Sequence, residues 1–376
     1  MTDRYRILHV LRAPVGGLFR HVLDLSGEQS AVGHDVGLVM DSTTADALTE
    51  KRIAEAVPNL TLGVTRIPMS RLPGLGDVSA SNSVRAAAKT KRADVLHGHG
   101  AKGGAYARIA GMALRREKQR VAVFYTPHGG SLHFPPLSPQ GMTYTAIERF
   151  LARHTDGLIF ESDFARRVFE ERIGKDLAEE RVITNALQPN DFITHVPEPD
   201  AYDFLFVGEL RKLKGVDVLL NALAEVAELR PVNALIVGSG ADREALEFLA
   251  SDLGIEDKVT FAGAIPARDV FTRARCIVVP SRAESLPYIV LESAAARMPL
   301  LATNVGGIPE IVAGTDTRLL PPGDVGALAS AMLEFLDAPQ DAQARAKRLQ
   351  DSVHLRFAVG STTAAVLKFY ADRLGR

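Results

Sequence analysis

Two glutamates at the end of a predicted strand have the spacing to bind one ligand together. The apolar run Cys276–Pro280 is typical of a buried strand, and the polar turn 281–284 follows it. Glu284 closes that turn, and Glu292 lies eight residues later in a helix predicted to end near Arg297. Eight residues make roughly two helical turns, so the two carboxylates can reach one ligand from different depths. Glutamates at this spacing are also common on solvated helices, so the pair needs support from other motifs.

A cationic loop upstream gives part of that support. The apolar residues 204–207 predict a strand, and the loop 208–215 then opens a helix that begins near Val216. The loop carries Arg211 and Lys214. An arginine can fork onto phosphate oxygens, a lysine adds a point charge, and helix N-terminal amides bind anions. This loop therefore predicts a diphosphate site.

A third strand end carries little side chain. The apolar run 234–237 precedes the turn Gly238-Ser-Gly240, where backbone can approach a ligand closely. A tight turn of this composition needs no ligand, so the turn adds little by itself.

The first candidate loop of the N-terminal half follows the predicted strand 6–11. Gly16 and Gly17 open the helix there, and an exposed loop of this type can approach a diphosphate or an acceptor. A plain strand-to-helix turn fits the same residues. Arg20 and His21 are expected on the helix surface.

Two further loops carry histidines. His97, His99 and Lys102 follow the strand predicted at 94–97, and neither a carboxylate nor a third histidine stands near them in the sequence. We therefore predict no metal there, and we expect His99 or Lys102 to contact an acceptor. His128, between Pro127 and a glycine after the next strand, is expected to be exposed.

From Phe204 to about Pro322 the chain resembles the nucleotide-sugar-binding half of retaining glycosyltransferases of family 4. The resemblance implies the GT-B fold, in which two Rossmann-like parallel-sheet domains face a cleft. It also implies site roles for named residues. Glu284 and His128 would contact the donor sugar, Glu292 the ribose and Lys214 the diphosphate, with the amides of Ser285 and Leu286 nearby.

Two positions depart from the family pattern. The family arginine follows the first glycine of the cationic loop, where this chain has Glu209, so Arg211 would have to serve instead. Pro287 stands where the family often has a glycine, and it lacks an N–H to offer a ligand.

Composition and the order of predicted elements fit two domains. The chain has 376 residues and 46% hydrophobic content, and strands alternate with amphipathic helices throughout. A Pro-rich stretch at 188–200 is interpreted as a linker. We expect an acceptor-side domain at 1–190, a nucleotide-sugar-binding domain at 191–350 and C-terminal helices at 351–376, the last crossing back to the N-terminal domain.

Charge and cysteine content exclude several classes of protein. The net charge of -1 argues against nucleic-acid binding, and the lone Cys276 excludes a disulfide framework and favours a reducing cytosol. The N-terminus shows no signal-peptide core, and no apolar run is long enough to span a bilayer. We expect a cytoplasmic protein, either soluble or attached to the inner face of the membrane.

These observations predict a metal-independent retaining glycosyltransferase without a cofactor. The chain has no Asp-x-Asp signature for a metal on the diphosphate, so Arg211, Lys214 and helix N-termini would neutralise the leaving group. A sugar-nucleotide epimerase and a non-catalytic nucleotide-sugar-binding protein remain alternatives. The expected partners are a nucleoside-diphosphate sugar and a glycan or lipid-linked acceptor of cell-surface polysaccharide or lipopolysaccharide assembly.

Two features suggest a lipid-linked acceptor at the membrane surface. One is the apolar loop 132–137, and the other is a basic cluster on or beyond one predicted helix. A loop packed on its own domain and a solvated helix end explain the same residues. The cluster comprises Arg108, Arg115, Arg116, Lys118 and Arg120.

Overall fold

The computed structural model describes residues 4–43, 47–70, 72–129 and 138–375, and the chain divides into two compact units. The first unit comprises residues 1–186 and 359–376, and the second comprises residues 187–358. The unit boundaries thus fall at 186/187 and 358/359, where the sequence suggested 190/191 and 350/351. The Pro-rich stretch 188–200, interpreted as a linker, lies inside the second unit.

A seven-stranded parallel sheet forms the centre of the first unit, in the order β3-β2-β1-β4-β5-β6-β7. Its buried strands read as continuous apolar runs because helices cover a parallel sheet. The strands are β1 (Arg6–Leu11), β2 (Asp35–Asp41), β3 (Gly63–Ile67), β4 (Val95–His99), β5 (Ala122–Thr126), β6 (Gly157–Phe160) and β7 (Glu180–Val182).

Seven α-helices belong to the described part of the first unit. Six connect its strands, and the seventh, α13, returns from the far end of the chain. Phe369 and Tyr370 of α13 are buried and pack in the same apolar cluster as Ile7 and Phe124 of the sheet. The helices are α1 (Gly16–Ala31), α2 (Ala47–Ala56), α3 (Gly76–Thr90), α4 (Gly100–Arg116), α5 (Pro139–Ala152), α6 (Asp163–Arg172) and α13 (Val359–Leu374).

A six-stranded parallel sheet forms the centre of the second unit, in the order β10-β9-β8-β11-β12-β13. Two clusters of buried apolar side chains pack against it. The strands are β8 (Tyr202–Val207), β9 (Ala234–Val237), β10 (Val259–Gly263), β11 (Ala274–Val279), β12 (Leu300–Thr303) and β13 (Leu319–Leu320). The helices are α7 (Val216–Ala227), α8 (Arg243–Asp252), α9 (Tyr288–Ala295), α10 (Ile308–Val312), α11 (Val325–Asp337) and α12 (Pro339–Arg356).

Each sheet has a point at which its strand order reverses. In the first unit β1 pairs with both β2 and β4, and in the second unit β8 pairs with both β9 and β11. Open parallel sheets bind ligands at such points, beyond the carboxyl ends of the strands. Within the described residues, no helix combines the length and the apolar character needed to cross a bilayer.

Candidate functional site

A lysine and a glutamate meet at the reversal point of the second unit. Lys214 precedes α7 in the loop after β8, and Glu284 lies in the turn after β11. The Lys214 ammonium is 2.6 Å from Glu284 Oε1 and 2.9 Å from Oε2. The Ser281 hydroxyl donates to Glu284 Oε1 at 2.7 Å. These bonds hold the Glu284 carboxylate in one orientation, and only 9% of its side chain is exposed.

Arg282 ties the two loops together, a role that the sequence did not suggest. Its guanidinium forms two hydrogen bonds to Asp217 at 2.6 and 2.7 Å, and its backbone N–H donates to the Leu213 carbonyl at 2.8 Å. Burial by itself raises the pKa of Asp217, but the hydrogen bonds from Arg282 leave that pKa lowered. The turn that carries Glu284 is thus fixed to the loop that carries Lys214.

Two glycines allow the site loops to pack closely. Gly306 has φ +61°, and a Cβ atom there would lie 2.1 Å from the Glu284 carbonyl oxygen. Gly238 has φ +150°, and a Cβ atom there would lie 1.8 Å from the Gly208 carbonyl oxygen. The neighbouring loop therefore accounts for Gly238 without a ligand.

Further residues predicted for the donor lie in the second unit, in the loop after β8 and at or just before α9. Glu292 is half-buried in α9, and Ser285 and Leu286 lie just before that helix. Arg211 is 45% exposed and forms an ion pair with Glu209 at 3.0 Å. The glutamate that occupies the family arginine position is thus the partner of the arginine expected to replace it.

A cluster of five histidines lies at the reversal point of the first unit. Three come from β1 and β4, whose carboxyl ends adjoin there, and the others come from α1 and from the residues after β5. Four are at most 5% exposed and the last is half-buried. The cluster comprises His9, His21, His97, His99 and His128.

Hydrogen bonds connect the rings of the cluster. His9 Nδ1 is 2.9 Å from His99 Nε2, and His99 Nδ1 is 3.2 Å from His128 Nε2. His97 bonds instead to the Tyr370 hydroxyl at 2.7 Å and to Thr126 Oγ1 at 2.9 Å. The network ties β1 and β4 to the loop after β5 and to the C-terminal helix.

Burial lowers the pKa of every ring in the cluster. The pKa of His9 falls to about 4 and that of His128 to about 3. The pKa values of His21, His97 and His99 are also lowered far below 6.5, first by burial and then by the charges of the other rings. The five imidazoles are therefore neutral at pH 7.

The cluster corrects two expectations, the absence of a third histidine near His97 and His99 and the surface position of His21. His9 is the third histidine beside His97 and His99, because neighbouring parallel strands bring its ring to theirs. His21 is 5% exposed, and so it belongs to the cluster and not to the helix surface. Two triplets, His9/His97/His99 and His21/His99/His128, bring one nitrogen of each ring within 4.8 Å of the others and are able to hold a metal ion.

Two protein-family models match this chain, one over each of two consecutive stretches. The model of glycosyl transferases group 1 matches residues 188–351, and that of glycosyltransferase family 4 matches residues 15–190. The chain belongs to glycosyltransferase family 4. It is an enzyme of the glycosyltransferase class, and between them the two models match residues 15–351.

Known relatives extend the likeness over nearly the whole chain of this family 4 glycosyltransferase. The glycogen synthase of Mycobacterium tuberculosis is 28% identical over 378 residues, which are 95% of this chain and 91% of that protein. Sucrose-phosphate synthase from Thermosynechococcus elongatus is similar with a TM-score of 0.82 and 21% identity, covering 98% of this chain and 99% of that chain. Anabaena HepE in complex with UDP-glucose gives a TM-score of 0.80 and 19% identity, covering 98% and 100%. These structural likenesses show the GT-B fold.

The two residues expected to contact an acceptor, His99 and Lys102, both form hydrogen bonds within the first unit. His99 is 1% exposed and bonded within the cluster, so its ring offers no surface to an acceptor. The Lys102 ammonium bonds to Asp77 Oδ1 at 2.5 Å and to the Leu72 carbonyl at 3.2 Å. Lys102 therefore ties α4 to the segment before and within α3. Gly16 and Gly17 are exposed at the start of α1.

The basic cluster of the enzyme is smaller than the sequence suggested. Arg108 is fully buried. Its guanidinium bonds to Glu148 at 2.8 Å and lies 3.9 Å from the centre of the Tyr125 ring. Arg115 pairs with Asp156. The apolar loop 132–137 lies outside the described residues.

Proposed function

We propose that this glycosyltransferase moves a hexose from a nucleoside-diphosphate sugar to a glycan or lipid-linked acceptor, with retention of configuration at the anomeric carbon. We further propose a role in the assembly of cell-surface polysaccharide or lipopolysaccharide. The observation that carries the donor assignment is the Lys214–Glu284 pair at the reversal point of the second unit. A parallel sheet binds nucleotides at this place, and the pair joins a cation to a fixed carboxylate.

The Lys214–Glu284 pair can contact both the diphosphate and the sugar of the donor. Lys214 has three N–H groups, and two suffice for the Glu284 carboxylate, so the third is able to bind a phosphate oxygen. Glu284 Oε2 accepts from Lys214 alone among the described residues, and it keeps acceptor capacity for a sugar hydroxyl. In this proposal Glu292 binds the ribose and His128 contacts the sugar.

The leaving diphosphate needs positive charge in the transition state. We propose that Lys214, Arg211 and the backbone amides of Ser285 and Leu286 supply it without a metal ion. Fixed charges in a site that excludes water stabilise a developing anion more strongly than mobile water does. Arg211 would have to leave Glu209 or to bind phosphate through its two terminal nitrogens.

Thermal-shift screening against UDP, GDP, ADP and their sugars, with EDTA present, tests the donor site. We expect one nucleotide series to stabilise the protein, because a ligand that binds only the folded state raises its melting temperature. Lys214→Met should abolish the stabilisation, whereas Lys212→Met should keep it. Lys212 lies in the same loop and is exposed, so the control removes the same charge nearby.

Several outcomes would contradict the proposal. Stabilisation that disappears with EDTA would contradict metal independence. Equal loss of stabilisation in both lysine variants would contradict the role of Lys214. Release of nucleoside diphosphate only when an acceptor is added would support transfer, whereas interconversion of the donor sugar without acceptor would establish the epimerase.

We also propose peripheral association with an anionic membrane, on fewer grounds. Arg116 and Lys118 remain exposed at the end of α4. Sedimentation with anionic and neutral vesicles at low salt tests it, with Arg116→Gln combined with Lys118→Gln as the variant. Equal sedimentation of the wild type with both vesicle types would contradict it.

A further inference from the structure

A chain of hydrogen bonds ends at His128. It begins at Gln29 of α1, whose Oε1 is 2.8 Å from His9 Nε2. It continues from His9 Nδ1 to His99 Nε2 at 2.9 Å, and from His99 Nδ1 to His128 Nε2 at 3.2 Å. Gln29, His9 and His99 are at most 1% exposed, so the chain is shielded from water up to its last ring.

Because the rings are neutral, the hydrogen bonds between Gln29 and His128 must all run in the same direction. A neutral imidazole carries one N–H donor and one bare nitrogen acceptor, so each ring that donates on one side must accept on the other. Gln29 faces His9 with its carbonyl oxygen, and that oxygen can only accept. His9 therefore donates from Nε2 and accepts at Nδ1, and His99 does the same.

The last ring takes its tautomer from this order. His99 Nδ1 is an acceptor, so His128 must donate to it from Nε2–H. His128 Nδ1 is then left with a lone pair and no proton. Of the residues that the structure describes, none forms a hydrogen bond with this nitrogen.

The backbone of His128 has a conformation that is uncommon for a residue other than glycine. Its φ is +51°, in the left-handed region, which costs a non-glycine residue roughly 1–2 kcal/mol. Such conformations persist where the surrounding structure fixes them, and they occur often at active sites. The bond to His99 and the edge of the His21 ring, with centroids 5.2 Å apart, hold the imidazole here.

We propose that Gln29, His9 and His99 are positioning residues that fix one tautomer of His128, so that His128 Nδ1 accepts a hydrogen bond from a hydroxyl of the donor sugar. This inference rests on the proposed function, in which His128 contacts that sugar. The three residues touch no substrate. They act because a ring with the proton on Nδ1 could only donate to the hydroxyl oxygen and could not accept the hydroxyl proton.

The tautomer can be measured directly by NMR of the nucleotide-free protein with 15N-labelled histidine. A protonated and a bare ring nitrogen have widely separated 15N shifts, so we expect His128 to show one tautomer with the proton on Nε2. A His128→Gln sample assigns the signal. Because this measurement needs neither nucleotide nor turnover, it stands or falls separately from the donor-site screen.

Gln29→Met tests the transmission. Methionine has nearly the same size but cannot accept from His9, so we expect a mixture of His128 tautomers and a kcat lowered roughly 10–100-fold, the size typical of an orienting partner. Nucleotide affinity should not change. Thr126→Val is the matched control, because it removes a bond to His97, a ring of the same cluster outside the chain. The control should keep one tautomer and the wild-type kcat.

Three results would overturn the inference. One is a wild-type His128 that carries its proton on Nδ1. Another is a Gln29→Met protein with mixed tautomers and an unchanged kcat. The third is a purified protein with one equivalent of transition metal that is lost in His99→Gln, because a metal would use the lone pairs that the hydrogen bonds need.

Discussion

At the scale of single residues, the buried Arg108–Glu148 pair shows how charge can mislead a reading of the sequence. Both side chains are almost fully buried, and the arginine also donates to the Gly104 carbonyl at 3.0 Å. Taking one partner away leaves the other charge buried without compensation. The pair therefore belongs to the folding of the first unit and not to a surface that binds anions.

A double-mutant cycle tests this conclusion. Arg108→Met should lower the free energy of unfolding by roughly 3–5 kcal/mol, and adding Glu148→Met should recover most of the loss. The exposed pair Lys347–Asp351 is the control, and Lys347→Met should cost less than about 1 kcal/mol. Urea unfolding measures all variants. An Arg108→Met protein as stable as the wild type would contradict a buried pair.

The histidine cluster predicts how stability changes with pH. His9 has a folded-state pKa of about 4, lowered by burial from 6.5, so the unfolded chain binds more protons between these values. Above about pH 6.5 this ring does not lower the free energy of unfolding. As the pH falls toward 4, the free energy of unfolding drops by up to roughly 3 kcal/mol because of this ring.

Urea unfolding at a series of pH values checks this expectation. His9→Gln should flatten the fall in stability between pH 6.5 and 4, because glutamine does not titrate there. His354→Gln, which changes an exposed histidine of the second unit, should leave the slope as in the wild type. A slope equal in all three proteins would rule out His9 as its source.

At the scale of elements, the donor site depends on how closely its loops approach. Gly306 and Gly314 both have positive φ, at +61° and +76°, but only Gly306 would place a Cβ atom against the Glu284 turn. Alanine at either position costs roughly 1–2 kcal/mol of backbone strain. Gly306→Ala should cost more than Gly314→Ala and should also weaken nucleotide binding, because the Glu284 turn must move.

Urea unfolding and nucleotide titration are carried out on both variants. Together they distinguish backbone strain at the substituted glycine from displacement of the Glu284 turn. Equal stabilities and equal nucleotide affinities would show that the turn accommodates the Cβ atom. The comparison is sharp because, apart from the adjacent residues, no described atom lies within 4 Å of the Cβ position at Gly314.

The elements differ in how well the sequence predicts them. The strands predicted at 6–11 and 234–237 match β1 and β9 residue for residue, because buried parallel strands are mostly apolar. The two-residue strand β13 carries too short a pattern to be recognised. Neighbouring strands bring Lys214 to Glu284, 70 residues away, and the sequence pointed to both residues but not to their contact.

Contacts between distant segments explain what the sequence left out. Nothing in the sequence linked His9 to the pair His97 and His99, because only the β1–β4 pairing brings them together. The burial of Arg108 depends in the same way on Glu148, 40 residues later. For the histidines, strand order would have been the signal, since β1 and β4 adjoin where a doubly wound sheet reverses.

At the scale of the whole molecule, the first unit is built from two separate stretches of chain. Its last helix, α13, places Val366, Phe369, Tyr370 and Leu374 in the buried apolar cluster of the first sheet. At roughly 1.5–3 kcal/mol for each large apolar side chain, their burial contributes roughly 6–12 kcal/mol. That is comparable with the total stability of a typical domain, about 5–15 kcal/mol.

A chain that ends at Ala358 should therefore lose the fold of the first unit and keep that of the second. Limited proteolysis with mass spectrometry should then show rapid cleavage within residues 4–186 and protection of residues 187–358. A chain that ends at Gly375 keeps the whole of α13, and its digestion should match that of the wild type. Protection of residues 4–186 in the shorter chain would show that the first sheet is stable without the returning helix, because its remaining buried contacts would then exceed its loss of conformational entropy.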